Sequence, residues 1–209
     1  GQQITYEEWE KEALTNKRLL PKYGDIPKSE GELKADNEFL KTAIKLDTTA
    51  EKAAAHMIDL GFKYLYKDTK KAMYRFNQAY LLDSMNSDIY WGYGAIYFMH
   101  NKLELAREQY KIGLKIDPEN TRILTDYGTT YMSEYFATQN TSLLDRAISM
   151  MSRSYVKDPT NQNTSYKLSS CFLMRNDCEN AKKFYEACMS YGGDPVTKEF
   201  KAEINKRCK

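Results

Sequence analysis

The sequence predicts an all-α chain, a solenoid of helix hairpins stacked one after another with no single central core. Three observations carry this. A glycine flanked by tyrosines recurs: Gly94 and Gly128 lie 34 residues apart, as do Tyr93 and Tyr127, and Tyr97 and Tyr131. Gly61 and Tyr64 stand 33 residues before Gly94 and Tyr97, and a period of this length is the mark of stacked supersecondary units. Acidic-Pro punctuation closes the units at Lys115–Pro118 and Lys157–Pro159, where proline disfavours helix at the residue before it. Finally, 10 Gly and 5 Pro in 209 residues are too few for a loop-rich β-sandwich.

Each element follows in order. Residues 1–52 form an irregular N-terminal helical segment with a partial repeat. The chain opens Gly1-Gln2-Gln3 without methionine, so Gly1 is read as a scar of tag removal. A start behind a removed signal peptide would favour an extracytoplasmic place, periplasmic or secreted, over a cytoplasmic one. Thr5 and Glu8 make a capping box for the first helix. PKYGDIPKSEG is loop, and KADNEFLKTAIKLD resembles a lone second helix, with Leu40 and Ala43 at its packing positions. Residues 53–194 hold four units, 53–86, 87–120, 121–161 and 162–194. Residues 195–209 form a charged amphipathic capping helix of the kind a solenoid end needs.

Within the units, the positions in order are Tyr90, Tyr93, Gly94, Tyr97, Ala106, Tyr110, Gly113 and Pro118. The preceding unit offers Met57, Leu60, Gly61, Tyr64, Ala72, Phe76 and Ala79, with Ser84 in the proline's place. The following one offers Leu124, Tyr127, Gly128, Tyr131, Ala147, Met151, Ser154 and Pro159, and a weaker copy uses Leu168, Ser169, Phe172, Ala181, Tyr185 and Cys188. This pattern resembles the tetratricopeptide repeat (TPR), a pair of antiparallel helices that stack into a right-handed superhelix. A helical glycine costs about 1 kcal/mol against alanine. Its recurrence in one register therefore implies close approach within a hairpin, with Ala72, Ala106, Ala147 and Ala181 as the small partners. Between Tyr131 and Ala147 lie seven more residues than between Tyr97 and Ala106. They are expected to extend the first helix and lengthen the turn, either as a tolerated insertion or as a partner-contacting protrusion.

The resemblance implies a protein-interaction scaffold or adaptor that holds a peptide or helical segment of another protein in a concave groove, with no cofactor. First helices line that groove. The corresponding positions are Ile58, Phe62, Leu65 and Tyr66, then Asp88, Trp91, Ala95, Phe98 and Met99. Next come Arg122, Thr125, Asp126, Thr129 and Met132, followed by Tyr166, Ser170 and Met174. Family members that clamp a chaperone's terminal carboxylate use Lys, Asn and Arg where this chain has Ile58, Phe62, Gly92, Arg122 and Asp126, so such a clamp is not expected. The alternative is a structural or assembly subunit whose groove is filled by its own N-terminus, covering Phe62 and Trp91, and which acts as a homo-oligomer.

Other chemistries find no support. With 31 Lys+Arg against 29 Asp+Glu, the net charge of +2 gives no footprint for nucleic acid. No window approaches the apolar length of a membrane span. His56 and His100 lack the partner spacing of a metal site apart from Glu104 near His100 in a turn. No phosphate loop, nucleophile elbow or HExxH motif appears, so no enzymatic activity is expected. All four cysteines fall late, at Cys171, Cys178, Cys188 and Cys208. Cys171 and Cys188 lie on faces that repeat packing buries. Cys178 begins a second helix and Cys208 ends the cap, ends that stacked hairpins bring together, so a Cys178–Cys208 disulfide is expected in an oxidising compartment.

Overall fold

The computed structural model describes residues 4–209, and the reading of Gly1 lies outside them. The described residues contain eleven α-helices and two short 3-10 turns, and no strand among them. The helices are α1 (Tyr6–Ala13), α2 (Glu30–Asp47), α3 (Ala50–Leu65), α4 (Thr69–Leu82), α5 (Ser87–Met99) and α6 (Leu103–Ile116). They continue as α7 (Thr121–Thr138), α8 (Ser142–Lys157), α9 (Gln162–Met174), α10 (Cys178–Ser190) and α11 (Lys198–Arg207). Helices α3–α4, α5–α6, α7–α8 and α9–α10 pack as hairpins. Two compact units result, one ending at Asp117 and one beginning at Pro118.

Local chemistry sets the helix ends. Asn86, Asn120 and Asn161 cap α5, α7 and α9, each side-chain oxygen accepting a backbone N–H of the first turn. Asp68 and Asp177 do the same for α4 and α10. The second helices α4, α6 and α8 stop at Asp83, Asp117 and Asp158.

In the first unit the glycines make room for rings. A Cβ on Gly61 or on Gly92 would each lie 2.4 Å from Cε1 of Phe76, and one on Gly94 would lie 2.2 Å from Cε1 of Tyr110. The sequence assigned this closeness to alanines, and here the structure corrects it. Ala72 and Ala106 are buried, but the atoms over the glycines belong to the rings four residues further on. The physical reason is shape: a flat ring laid on bare backbone fills the crossing that a methyl pair would leave open. In the second unit a Cβ on Gly128 would meet Met151, again four residues beyond the alanine, at 2.8 Å and Ala147 O at 2.9 Å. Ser169, in the glycine register, donates its hydroxyl to Ala181 O at 2.7 Å.

The N-terminal segment is integral to the first unit. Helix α1 opens on the Thr5–Glu8 capping box, and Trp9 and Leu19 are 2% and 0% exposed. Asn77 of α4, fully buried, donates to Arg18 O (2.9 Å) and Leu20 O (3.0 Å) and accepts from the Tyr93 hydroxyl (2.7 Å). That hydroxyl in turn accepts from the Lys22 backbone N–H at 3.2 Å. Both donors and the acceptor of the amide are thus satisfied, as a buried amide requires. Asn16 donates to the Tyr74 hydroxyl, the Arg18 guanidinium covers the Tyr74 ring, and Glu12 pairs with Lys70. Rings of Tyr6 and Trp9 meet His100. The segment therefore lies along α4, Tyr93 and the α5–α6 turn. Between it and α2 the chain passes through Lys22, Tyr23, Gly24 and Asp25 with φ of 55°, 59°, 69° and 54°. Left-handed backbone costs about 1–2 kcal/mol for each residue with a Cβ. Helix α2 packs on α3 through the face holding Leu40 and Ala43, as a second helix does on the next hairpin.

In the second unit the seven additional residues are all helix. Helix α7 has 18 residues against 13 in α5, and α8 has 16 against 14 in α6, which accounts for five and two. The turn between them is not lengthened, and this too corrects the expectation. One left-handed residue, Gln139, follows α7 as Asn101 follows α5 and its C-cap His100, so added residues continue the helical hydrogen-bond ladder until the same stop. Cys178 and Cys208 are joined by a disulfide with Cα atoms 5.2 Å apart. Ile204 and Phe200 of α11 pack with Leu173, Ala181 and Tyr185. Cys171 and Cys188 are free and buried.

Candidate functional site

Helices α3 and α5 run side by side in the first unit and present the aromatic residues of the groove register. Phe62 and Trp91 are in tilted contact, their ring planes at 37° and centroids 4.0 Å apart. The edge of Phe76 supports Phe62 from below at 5.1 Å. Both rings stay half-buried, as do Asp88, Ala95, Phe98 and Met99. Tyr66, one turn beyond Phe62, is 74% exposed. Ile58 and Leu65, one turn either side of Phe62 on the same face, are buried in the core instead. What remains is a patch of ring faces and a thioether. Such a surface offers large contact area at small entropic cost and no nucleophile or acid–base pair.

The corresponding positions of the second unit do something different. Thr125 is buried, its hydroxyl 2.9 Å from that of Ser154 and 2.7 Å from that of Thr164. Thr129 donates back to Thr125 O, and Ser170 to Tyr166 O. Asp126 pairs with Lys167 at 3.3 Å. The ring of Tyr166 is met edge-on by Phe200 of the capping helix at 4.9 Å. Arg122 is exposed, whereas Met132 and Met174 pack against the α7–α10 core. Of these expected contact residues, Thr125 and Tyr166 are taken up internally, since the Thr125 hydroxyl is bound by those of Ser154 and Thr164 and the cap meets the last first-helix ring.

The two histidines differ: among the described residues only His56 has a hydrogen-bonding side-chain partner, and Nε2 of His100 is buried without one. His56 meets Asp47 at 3.1 Å, and His100 sits among Tyr6, Trp9 and Lys102, where burial and then the Lys102 charge lower its pKa. Among the described residues no group of three His, Cys, Asp or Glu is placed to hold a metal ion.

No protein-family model matches the sequence, and no curated protein matches it either. The three-dimensional arrangement does find counterparts. PilF of Pseudomonas aeruginosa aligns over 76% of this chain and 68% of its own, with a TM-score of 0.63 and 19% identity. YrrB, described as a TPR protein with an unusual peptide-binding site, aligns over 95% and 97%, with a TM-score of 0.52 and 18% identity. The fold is that of a tetratricopeptide-repeat protein. The first TPR domain of Spaghetti (RPAP3), bound to the HSP90 peptide SRMEEVD, covers 60% of this chain and 92% of its own at a TM-score of 0.50 and 22% identity. Identities in this range carry the fold and nothing finer.

Two features of this TPR-type fold escaped the sequence reading. The linkers between hairpins share the pattern Asp-x-x-Asn, at Asp83–Asn86, Asp117–Asn120 and Asp158–Asn161, which was visible and encodes a C-cap followed by an N-cap. Asn77 had no such signal. Its partners lie 57 and 59 residues earlier and 16 later in the chain, and an amide on a second helix is otherwise an ordinary surface residue.

Proposed function

We propose that this chain is a protein-interaction scaffold that holds a peptide or helical segment of another protein against the aromatic face of α3 and α5. The observation that carries the proposal is the Phe62–Trp91 pair, in close tilted contact and only half-buried, with Tyr66, Phe98 and Met99 on the same groove register. Apolar rings in excess of what a hairpin needs mark interaction surfaces, and an amphipathic helix reads such a surface through anchors at i, i+3 and i+4. The repeats at 53–86, 87–120, 121–161 and 162–194 serve as the rigid support. A terminal-carboxylate peptide is not the proposed ligand. The clamp positions here hold Ile58, Phe62, Gly92, Arg122 and Asp126, three of them uncharged and one carboxylate. The proposal is tested by capture from the native host with wild type and a Trp91→Ala/Phe98→Ala variant of unchanged circular dichroism. Retention by wild type and loss by the folded variant is the expected result. Equal capture by both moves the interface elsewhere and ends this reading.

A further inference from the structure

The N-terminal segment is bound like a ligand, through side chains and main-chain carbonyls that a second molecule could equally offer. We propose that copies of this chain exchange it: each of two molecules docks its residues 4–21 into the slot of Tyr74, Asn77 and Tyr93 on the other. Three observations point the same way.

The first is the form of the hold. The amide of Asn77 grips the carbonyls of Arg18 and Leu20, while Trp9 and Leu19 fill the core beneath. An identical segment from another copy remakes every one of these contacts, so exchange loses none of them. The second is the connector. Lys22 to Asp25 turn the chain back toward α2 through four successive positive φ angles, three of them at residues with side chains. A short hinge under strain favours exchange because the strain disappears when the hinge runs on extended. Extended, Lys22 to Lys28 would span about 24 Å, enough to reach a neighbouring copy. The third is that the connector is held by the exposed pair Lys22–Asp25 and the partly buried pairs Lys17–Glu32 and Lys28–Asp36, none of them within the apolar core. Opening it leaves no charge stranded in the core. In the exchanged dimer the partner copy completes each first unit, since Trp9 and Leu19 then come from the other chain.

The ion pair between Glu12 and Lys70 allows a test on the unaltered protein. Nitrogen-15-labelled and unlabelled chains are mixed, loosened in dilute guanidinium and returned to native buffer at high concentration. Dimer is then isolated by size exclusion, and a zero-length carbodiimide joins the Glu12 carboxylate to the Lys70 amine. Exchange predicts that about half of the joined Glu12–Lys70 peptides in the dimer carry one labelled and one unlabelled partner. A dimer whose joined peptides are all of one isotope overturns the proposal. The hinge gives a second reading. Asp25→Gly, which tolerates positive φ, lowers the dimer fraction, whereas Asp25→Pro, which forbids it, raises that fraction by about tenfold. Should the proline variant fail to fold, Asp25→Val disfavours the same φ and raises the fraction likewise. Absence of dimer from the native chain and from a folded hinge variant alike also overturns it.

Discussion

The ring of Tyr110 lies so close over Gly94 that a single methyl has nowhere to go. Gly94→Ala should therefore destabilise by about 1–3 kcal/mol in a denaturant titration, although alanine is the better helix former. Gly31→Ala is the control, since nothing stands within 4 Å of that site; an equal loss at both would refute the contact. Asn77→Ala leaves two carbonyls of the N-terminal segment without their donor, and a cost of about 2–4 kcal/mol follows from orphaning buried groups. The pH dependence has a defined sign. Hydrogen bonds from Lys17 and Ser29 hold the Glu32 carboxyl down at about 2. Its contribution is present above the ordinary carboxylate pKa and is lost as pH falls through the range from about 4.5 to 2. The lowered pKa of His100 acts in the same direction from about pH 6.5 downward, because the unfolded chain accepts the proton more readily. Hydrogen exchange should show protection of the N-terminal segment falling on acidification, and protection that rises instead would contradict both assignments. Burial pushes the Cys171 thiol up to about 12, so iodoacetamide at neutral pH should modify Cys171 only after unfolding, as read by intact mass.

At the scale of elements, the cap and the N-terminal segment are attached by opposite means. Helix α11 buries little beyond Ile204 and Phe200, and its end is fixed by the disulfide and by Arg207, which donates to Leu173 O and Asn176. Closing the 30-residue separation between Cys178 and Cys208 constrains the unfolded chain, so the Cys178→Ser/Cys208→Ser variant should lose about 2–4 kcal/mol. Equal denaturation midpoints for variant and wild type would count against a pinned cap. The N-terminal segment is held by packing instead. Removing residues 1–25 takes Trp9 and Leu19 from the core and strips Asn77 of its carbonyls, and the first unit should then lose its cooperative melt rather than stay nearly intact. Helix positions were legible because Gly94, Tyr97 and their copies recur at a helical period. The lone character of α2 was legible through Leu40 and Ala43. The course of the N-terminal segment was not, since a contact such as Asn77 with Arg18 spans 59 residues and obeys no repeat.

For the molecule as a whole, repetition explains both what the sequence discloses and what it withholds. The repeat pattern specifies which residues pack within hairpins, and it assigns Phe62, Trp91, Phe98 and Met99 to one face. It does not say what covers that face elsewhere, so the burial of Thr125 and the Phe200 contact on Tyr166 emerged only in three dimensions. Function follows the same division: the fold is common to many TPR proteins, and the proposed contact with a partner rests on a few rings. One ring has a wider effect. Phe76 rests on Gly61 of its own hairpin and equally on Gly92 of the next. A solenoid normally behaves as a row of modules, each with its own stability and a coupling term to its neighbour. Here one side chain contributes to both terms, so α3–α4 and α5 have no independent melting. Their most protected amides should share one opening free energy in hydrogen exchange, and Phe76→Leu should split it into two before it abolishes folding.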